Sequence, residues 1–394
     1  MIILQKTDKL ISEFFIFLIK IYQYILSPDK WIPSLWLKWR ICMHEPHCSE
    51  YGIKVLRRYG IFKWLFLTSD RVLHCTWGMN KIYDPEFYKI VFFSSAPIGV
   101  PFLEELSKDK RFEIVGVVTQ RDKPAGRWME VCENIIKAES KKLKIDDFDI
   151  KTPNKSNPEK SDEGKEFANR LKNKEPDFLV VIAYGRIIPQ IILDIPKIAP
   201  INIHGSLLPK YRGASPIQSI FLNNEKETWI TIMKMDATMD TWNMIEKLKF
   251  KIPFDWTCKD VIAKMKEVWP EFLNNVLRRY AKDMLGEEEQ NNDQATHCGK
   301  IGKESWLIDP WKDSLEEIYN KYRGFYLWPK IYFIWKDKRV IIEELKLDEK
   351  IFGENKNKSL IQWNDLNLAV IDIRVKPEGK KNMKRDEFLR GYGK

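Results

Sequence analysis

From Tyr88 onward the sequence alternates short apolar runs with helix-like segments, and this alternation is the strongest constraint on the fold. The run KIVFF is followed by the helix-like VPFLEELSKD and then by FEIVGVVTQ, the strand, helix, strand order of a parallel α/β unit. Residues 177–185 and 199–205 add apolar runs typical of strands buried on both faces. The pattern predicts an α/β fold with a doubly wound, Rossmann-like sheet.

The segments on either side of this predicted sheet differ from it in composition. Residues 1–84 are aromatic and basic, and EYGIKVLRRY predicts a helix there. After the helix-like residues 258–280, the polar run GEEEQNNDQATHCGK has no apolar period, which is typical of a linker. The remaining short alternating segments predict a small β-barrel. We therefore expect a small helical N-terminal module (residues 1–87), the α/β domain (88–282), a linker (283–301) and a small OB-like β-barrel domain (302–394).

Charge, cysteines and hydropathy restrict the partners and the location. The 394 residues include 66 basic and 56 acidic side chains, a net charge of +10 that favours nucleic acid or a phospholipid surface. Six unevenly spaced cysteines do not form a secreted disulfide pattern, so reduced thiols and a cytoplasmic location are expected. The mostly apolar residues 9–26 contain Glu13, Lys20 and Gln23, which favours an amphipathic helix on the membrane surface over a membrane-spanning helix. A buried core helix is the alternative.

The stretch richest in chemical groups is INIHGSLLPKYRGASPIQ, residues 201–218. Alternate side chains of a strand share a face, so Asn202 and His204 are expected to project together while Ile201 and Ile203 are buried. Ligands of open α/β sheets bind beyond the carboxyl ends of the strands, where this pair lies. From the pattern alone, a loop-capping Asn202 and a hydrogen-bonded core His204 explain the residues equally well.

Five stretches in the same order make the chain from Tyr88 to its end resemble the methionyl-tRNA formyltransferase family. They are VVTQRDKPAGR, AYGRIIP, NIHGSLLPKYRGASPIQ, TIMKMDATMDT and VKPEGKKNMKRDEFLRGY. The resemblance implies transfer of a formyl group from 10-formyltetrahydrofolate to the amino group of methionyl-initiator tRNA, with no metal. The alternatives are a formyltransferase acting on a sugar amine or a purine precursor, which the last domain disfavours, and a membrane-peripheral protein-insertion factor whose transferase portion is inert.

By this resemblance the catalytic residues fall on Asn202, His204 and Asp240. Attack of an amine on the formyl group builds negative charge on the formyl oxygen, which oriented donors stabilise. Asn202 and protonated His204 are the expected donors. Asp240 is expected to orient or ionise His204 and to relay the proton that the amine loses, whereas Asp236 in the same loop is interpreted as a turn residue.

The resemblance also implies which residues bind the two substrates. Folate is expected to contact Ser206, Leu207, Leu208 and Pro209, with Tyr184 and Gly185 adding backbone contacts to the pterin. Ser206 could in addition cap a helix entry. The tRNA is expected to contact Lys123 and Arg127 in the PAGR loop, for which a flexible solvated loop is the alternative, and Arg323, Lys380 and Lys381 in the last domain.

Several tryptophans stand where the formyltransferase pattern has glycine. They are Trp128, Trp229, Trp242, Trp269 and Trp306, and Trp64 does the same in the N-terminal module. Glycine serves positive φ or close backbone approach, so an indole there is expected to cause strain and to fill ligand space, above all at Trp242. We interpret the set as a stop codon that the source organism reads as glycine. Genuine base-stacking tryptophans and a decayed enzyme are the alternatives.

Residues 20–84 resemble the membrane protein insertion efficiency factor family through KIYQYILSP, CMHEPHCSEYGIKVLRRYGIFK and DRVLHC. The resemblance implies peripheral contact of residues 1–87 with the inner face of the membrane. Thiols and imidazoles are numerous enough for zinc, but their spacing is not that of a standard finger. Because the transferase part begins at Tyr88 without a methionine, two reading frames joined by missing start and stop signals are the alternative to one natural polypeptide.

Overall fold

The structure, a computed structural model, describes residues 2–25, 44–73, 82–83, 85–125, 130–145, 147–148, 161–236, 238, 240–357 and 370–392. Two units are present, one of residues 1–88 with 110–113 and one of residues 89–109 with 114–394. The first unit contains α1 (Ile2–Ile25), β1 (His44–Glu45), α2 (Cys48–Leu73) and β2 (Ile82–Tyr83).

Two helices that pack through a small apolar contact dominate the first unit. The predicted helix over residues 50–59 is confirmed within α2, which is interrupted at Gly60 because φ there is 76°, a conformation that favours glycine. Ile16 of α1 packs with Ile53 and Leu56 of α2. Helix α1 also exposes apolar side chains, among them Phe14 and Phe17. Its interpretation as an amphipathic surface helix stays a prediction. Among the described residues no helix has the length and apolarity to cross a membrane.

The second unit begins with the predicted alternation of strands and helices. Its strands are β3 (Tyr88–Ser94), β4 (Phe112–Val118), β5 (Lys123–Ala125), β6 (Glu130–Cys132), β7 (Asp147–Phe148), β8 (Phe178–Ile182), β9 (Ala199–His204), β10 (Arg212–Gly213), β11 (Glu227–Lys234) and β12 (Met244–Lys251). The helices among them are α3 (Val100–Lys108), α4 (Ile135–Lys142), α5 (Asp162–Asn173), α6 (Gln190–Leu193), α7 (Pro216–Leu222) and α8 (Cys258–Tyr280).

Seven of these strands form one sheet in the order β12-β11-β9-β8-β3-β4-β7. Strand β8 pairs in parallel with β3 on one side and β9 on the other, and their side chains are almost all buried. The predicted Rossmann-like sheet is therefore confirmed. The antiparallel strands β11 and β12 extend it beyond β9, and the carboxyl ends of β3, β8 and β9 lie at one edge.

The last part of the second unit is a small antiparallel domain. It contains β13 (His297–Cys298), α9 (Leu315–Gly324), β14 (Tyr332–Trp335), β15 (Lys338–Leu347), α10 (Glu349–Asn355), β16 (Val370–Pro377), β17 (Met383–Lys384) and α11 (Arg385–Tyr392). Strands β14 to β17 form one four-stranded sheet in chain order. Two register shifts between β15 and β16 are consistent with the curvature of the predicted small barrel. Helix α9 packs closely on α7, since a Cβ at Gly324 would lie 3.2 Å from the Cβ of Phe221.

Residues 287–299, which we call the strap, belong to the predicted linker (residues 283–301). They pair with strands of the α/β part. Glu288 and Met244 exchange two backbone hydrogen bonds of 2.8 Å, and β13 pairs in parallel with β10. At this second contact Gly213 has φ 120°, and a Cβ there would lie 2.2 Å from the carbonyl oxygen of Cys298. The strap therefore lies directly against the segment that carries the RGASP motif.

Five of the six tryptophans at glycine positions lie among the described residues, and Trp128 lies outside them. None of the five has a positive φ, so the expected backbone strain is not present. The cost is instead in the side chains, because the indole N–H groups of Trp64, Trp229 and Trp269 are buried without a hydrogen-bond partner. Such a buried, unsatisfied donor costs about 1–3 kcal/mol, which supports the interpretation that these positions are glycine.

We expect the protein isolated from its source organism to carry glycine at all six positions. Peptide mass spectrometry measures this directly, and the tryptic peptide of residues 235–247 reports position 242. Glycine at position 242 is the expected result, with other tryptophans such as Trp311 and Trp335 read as tryptophan in the same sample. A native peptide that contains Trp242 would end the recoding interpretation.

Candidate active site

The loops that follow the central strands meet at the carboxyl edge of the sheet. After β8, Tyr184 lies between two left-handed residues, Ala183 with φ 46° and Gly185 with φ 74°. The side-chain amide of Gln120 donates to the carbonyl oxygen of Tyr184 at 2.6 Å. A Cβ at Gly185 would lie 2.8 Å from that amide nitrogen, so a side chain there would displace Gln120 and would have to adopt a left-handed φ, which favours glycine. This turn lies beyond the carboxyl end of β8.

Asn202 and His204 lie on β9 beside β11, in register with Met233 and Thr231. Asn202 is partly buried, and within the described part of the chain its side-chain amide has no hydrogen-bond partner. His204 is 5% exposed, and its Nε2 lies 2.9 Å from the carbonyl oxygen of Tyr211. A carbonyl only accepts hydrogen bonds, so Nε2 carries a proton and donates it. Nδ1 is then the nitrogen that remains available for chemistry.

Asp240 faces that second nitrogen. Its Oδ1 lies 3.7 Å from His204 Nδ1, which is ion-pair distance when the imidazole is protonated. Its Oδ2 accepts the backbone N–H of Gly213 at 2.8 Å, so one oxygen is held while the other points at the histidine. The backbone of Asp240 is left-handed, with φ 54°. The structure thus brings Asp240 and His204 together, as the resemblance implied.

Asp236, in the same loop, has a different environment. Its Oδ1 accepts the backbone N–H of Thr238 at 2.7 Å, a local turn hydrogen bond. This geometry is that of the turn residue that the sequence predicted.

The SLLP segment is tied to the protein rather than open to a ligand along its whole length. The Ser206 hydroxyl donates to the carbonyl oxygen of Lys210 at 2.8 Å, and Thr231 donates to the Ser206 carbonyl at 2.8 Å. Leu208 packs with Met233 and Met244. No helix begins at Ser206 within this described segment, so the capping role was wrong. Leu207 and Pro209 are partly exposed, and folate contacts from Ser206 and Leu208 would have to come from their backbones.

Of the predicted tRNA contacts, Arg323 is contradicted. It is 2% exposed, and it donates to the Phe254 carbonyl at 3.1 Å and to the Asn320 side chain at 2.9 Å. Burial lowers the pKa of its guanidinium. The sequence could not show that this face of α9 packs on the α/β part, where a phosphate cannot reach.

The structure describes the side chains of only two of the other predicted tRNA contacts. Lys380 and Lys381 are exposed after β16. The backbone of Lys123 lies in β5. The Lys123 side chain and Arg127 lie outside the described residues.

Two main-chain groups at the site were not predicted, namely the Tyr211 carbonyl and the Gly213 N–H. The Tyr211 carbonyl also accepts the Cys298 thiol at 3.3 Å, and burial together with the charge of Asp240 raises the pKa of that thiol. Main-chain groups leave no side-chain signal in a sequence. Only the glycine at position 213 hinted at a close approach.

Within the described residues no three His, Cys, Asp or Glu side chains come together as a metal site. Cys48 Sγ lies 3.9 Å from His44 Nδ1, while Cys42, His74 and Cys75 lie outside the described part. The structure therefore provides no described ligand set for the zinc alternative.

A Rossmann-like sheet with an amide, an imidazole and a carboxylate at its carboxyl edge, followed by a small antiparallel domain, defines the class of formyl transferases. The family described as Formyl transferase matches residues 88–277, and the family of its C-terminal domain matches residues 300–393. Residues 11–86 match the family described as Putative membrane protein insertion efficiency factor.

Relatives of known name narrow this class. The methionyl-tRNA formyltransferase of Clostridioides difficile is 34% identical over 310 residues, covering 77% of this chain and 96% of the relative. That of Clostridium acetobutylicum is 33% identical over 309 residues with the same coverage, 77% and 96%. The chain belongs to the methionyl-tRNA formyltransferase family.

A solved structure supports the fold. HypX from Aquifex aeolicus, in complex with tetrahydrofolic acid, superposes with a TM-score of 0.51 at 13% identity, covering 78% of this chain and 48% of that one.

Proposed function

We propose that the chain transfers a formyl group from 10-formyltetrahydrofolate to the amino group of methionine on initiator tRNA. The observation that carries the proposal is the approach of Asp240 to His204 Nδ1, 3.7 Å apart, on the strand that also presents Asn202. Family membership supplies the substrates, since the relatives above are methionyl-tRNA formyltransferases. The geometry supplies the chemistry.

Asn202 and His204 stabilise the charge that develops on the formyl oxygen. When the amine attacks the formyl carbon, a nitrogen–carbon bond forms and the carbonyl electrons move to oxygen. The Asn202 amide, which has no partner among the described side chains, and the Nδ1–H of protonated His204 donate to that oxygen. Donors fixed by a strand need no reorganisation as the charge appears, unlike water.

Asp240 stabilises the protonated imidazole and transfers the proton of the attacking amine. It first stabilises the imidazolium, because its Oδ1 faces Nδ1 while Oδ2 is anchored by the Gly213 N–H. It then accepts the proton that the attacking amine loses and returns it to N10 of the folate as the bond between N10 and the formyl carbon breaks. The products are the formylated amine and tetrahydrofolate, so no redox partner is needed.

The two substrates approach from different parts of the second unit. We assign the pterin to the turn around Tyr184 and Gly185 and the rest of the folate to Leu207, Pro209 and the backbone of Ser206 and Leu208. The exposed Lys380 and Lys381 are suited to tRNA phosphates, which Arg323 is not. Lys123 and Arg127 stay predictions for the acceptor end of the tRNA.

We propose for the first unit peripheral binding to the cytoplasmic face of an anionic membrane. Exposed aromatic side chains support this, among them Phe62 at 85% and Phe66 at 74% exposure on α2. Phe14 and Phe17 of α1 are exposed as well. Aromatic side chains of this kind enter the headgroup region without spanning the bilayer.

Substrate selectivity separates this function from its alternatives. We expect the purified chain with glycine at the six tryptophan positions to formylate charged initiator tRNA but not an amino-sugar nucleotide, at the same rate with and without residues 1–87. As written, with Trp242 present, the chain is expected to be weakly active or inactive. Transfer to the sugar nucleotide alone would point to a sugar formyltransferase. If the glycine form transfers formyl groups to neither substrate, with or without residues 1–87, the transferase portion is inert.

In the chain with glycine at the six tryptophan positions, Asn202→Ala, His204→Ala and Asp240→Asn should each lower kcat by roughly 100- to 1,000-fold. Asp240→Asn retains an oxygen for the Gly213 N–H, so its loss reports the charge rather than the fold. Steady-state rates with charged tRNA and thermal melting measure the two effects. Asn275→Ala, on an exposed position of α8, is the matched control. A kcat within threefold of the parent for folded His204→Ala would contradict the assignment.

For the membrane contact, Phe62→Ser combined with Phe66→Ser should weaken binding of the full chain to phosphatidylglycerol vesicles by at least about tenfold, because each lost aromatic removes about 1.5–3 kcal/mol of apolar burial. Cosedimentation measures the partitioning. Trp328→Ser, at an exposed position of the last domain, is the control. Equal binding of the double variant and the parent would refute this contact.

A further inference from the structure

The strap carries a buried polar side chain that is hydrogen-bonded to the loop of Asp240. Gln290 is 4% exposed, while most of its neighbours in the strap are exposed. Its Nε2 donates to the carbonyl oxygen of Asp240 at 3.0 Å and to that of Trp242 at 2.6 Å. Both N–H groups of this amide are therefore used on the backbone of the catalytic loop.

The oxygen of the same amide is used on the segment that anchors the carboxylate. Gln290 Oε1 accepts from Arg212 Nε at 3.0 Å and from Arg212 Nη2 at 2.8 Å. Arg212, itself 4% exposed, directly precedes Gly213, whose N–H binds Asp240 Oδ2. One amide thus joins the two pieces of chain that together set the direction of the Asp240 carboxylate.

The backbone of Asp240 has a conformation that these hydrogen bonds help to fix. Its φ of 54° lies in the left-handed region, which aspartate adopts more readily than most residues but less readily than glycine. A buried network in which every donor and acceptor has a partner rigidifies the groups it joins. The hydrogen bonds of Gln290 are made to the carbonyl of this left-handed residue and to that of the residue two positions further along.

We infer that Gln290 is a positioning residue for formyl transfer, holding Asp240 in the conformation that faces His204. The inference deepens the proposed function and rests on it. Gln290 touches neither substrate in this account and acts only through Asp240. A residue that merely fastened the strap to the α/β part would stabilise the protein without any dependence on Asp240.

A double-mutant cycle separates these roles. Gln290→Glu keeps an acceptor for Arg212 but replaces both N–H donors by an oxygen that the loop carbonyls repel. In the chain with glycine at the six tryptophan positions, we expect kcat to fall by roughly 10- to 100-fold, since small misplacements of a catalytic group have effects of this order, with KM for both substrates within about threefold. In the Asp240→Asn background the same substitution should change kcat by less than about twofold.

The control is Gln294→Glu, which makes the same chemical change at an exposed position of the strap and should leave kcat unaltered. Equal fold-losses for Gln290→Glu in the two backgrounds, or parental kcat in the folded single variant, would overturn the inference. If Gln290→Glu does not fold, Gln290→Asn, which keeps the amide but ends one methylene short, enters the same cycle.

Hydrogen exchange distinguishes failure of this inference from failure of the proposed function. The Gly213 amide is bonded to Asp240, so Gln290→Glu should speed its exchange while Gln294→Glu does not. If the parent chain formylates no tRNA, the proposed function fails, and the exchange rate alone decides whether Gln290 holds the loop. Unchanged exchange of the Gly213 amide in Gln290→Glu would overturn the inference whatever the activity.

Discussion

The hydrogen bond from His204 to the Tyr211 carbonyl is the interaction on which the site depends. Because it occupies Nε2 at 2.9 Å, it fixes which ring nitrogen can meet a substrate and which carboxylate can support it. Nδ1 is left beside Asp240, at the open edge of the sheet. Without this bond the imidazole could rotate, and neither the donor role of His204 nor the proton role of Asp240 would have a defined geometry.

The groups that hold this arrangement come from three separated parts of the chain. Strand β9 supplies the imidazole, residues 211–213 supply the Tyr211 carbonyl and the Gly213 N–H, and the strap binds the loop of Asp240 through Gln290. The strap belongs to the region between the α/β domain and the small β domain. Catalysis in this account therefore depends on chain beyond the sheet itself, which is why Gln290 matters although it lies outside the motif.

Periodicity predicted the helices and the parallel strands well. Residues 258–280 were read as one helix, and α8 runs from Cys258 to Tyr280 despite Pro270, with a capping box from Thr257 and Asp260 at its start. The β14–β15 hairpin was not visible as a turn, because Lys336 and Asp337 adopt the positive φ values that asparagine and glycine usually provide. The antiparallel edge strands β11 and β12 were not predicted, because the resemblance assigns TIMKMDATMDT through its carboxylates and not through a strand pattern.

At the site, the sequence predicted the side chains that act on the substrate but not the groups that hold them, namely the Tyr211 carbonyl, the Gly213 N–H and Gln290. The family resemblance predicted Asn202, His204 and Asp240. The strand pattern alone left the roles of Asn202 and His204 open and did not indicate Asp240.

The prediction that Arg323 contacts tRNA was wrong, because the sequence does not show whether an arginine faces solvent or is buried. The Arg323 guanidinium packs 5.2 Å from the ring centroid of Phe221 and 5.1 Å from that of Tyr319. Gln290 gave no signal, since a buried glutamine in a polar run is indistinguishable from a solvated one until its partners are known. The catalytic roles and domain boundaries stay predictions.

The most direct measurement is an experimental structure of the chain bound to a folate that carries a formyl group. We expect a formyl oxygen within hydrogen-bond distance of the Asn202 amide and His204 Nδ1, with the Asp240 carboxylate no further from that imidazole than one bridging water. A formyl group bound away from β9, or an Asp240 side chain turned out of reach of His204, would contradict it.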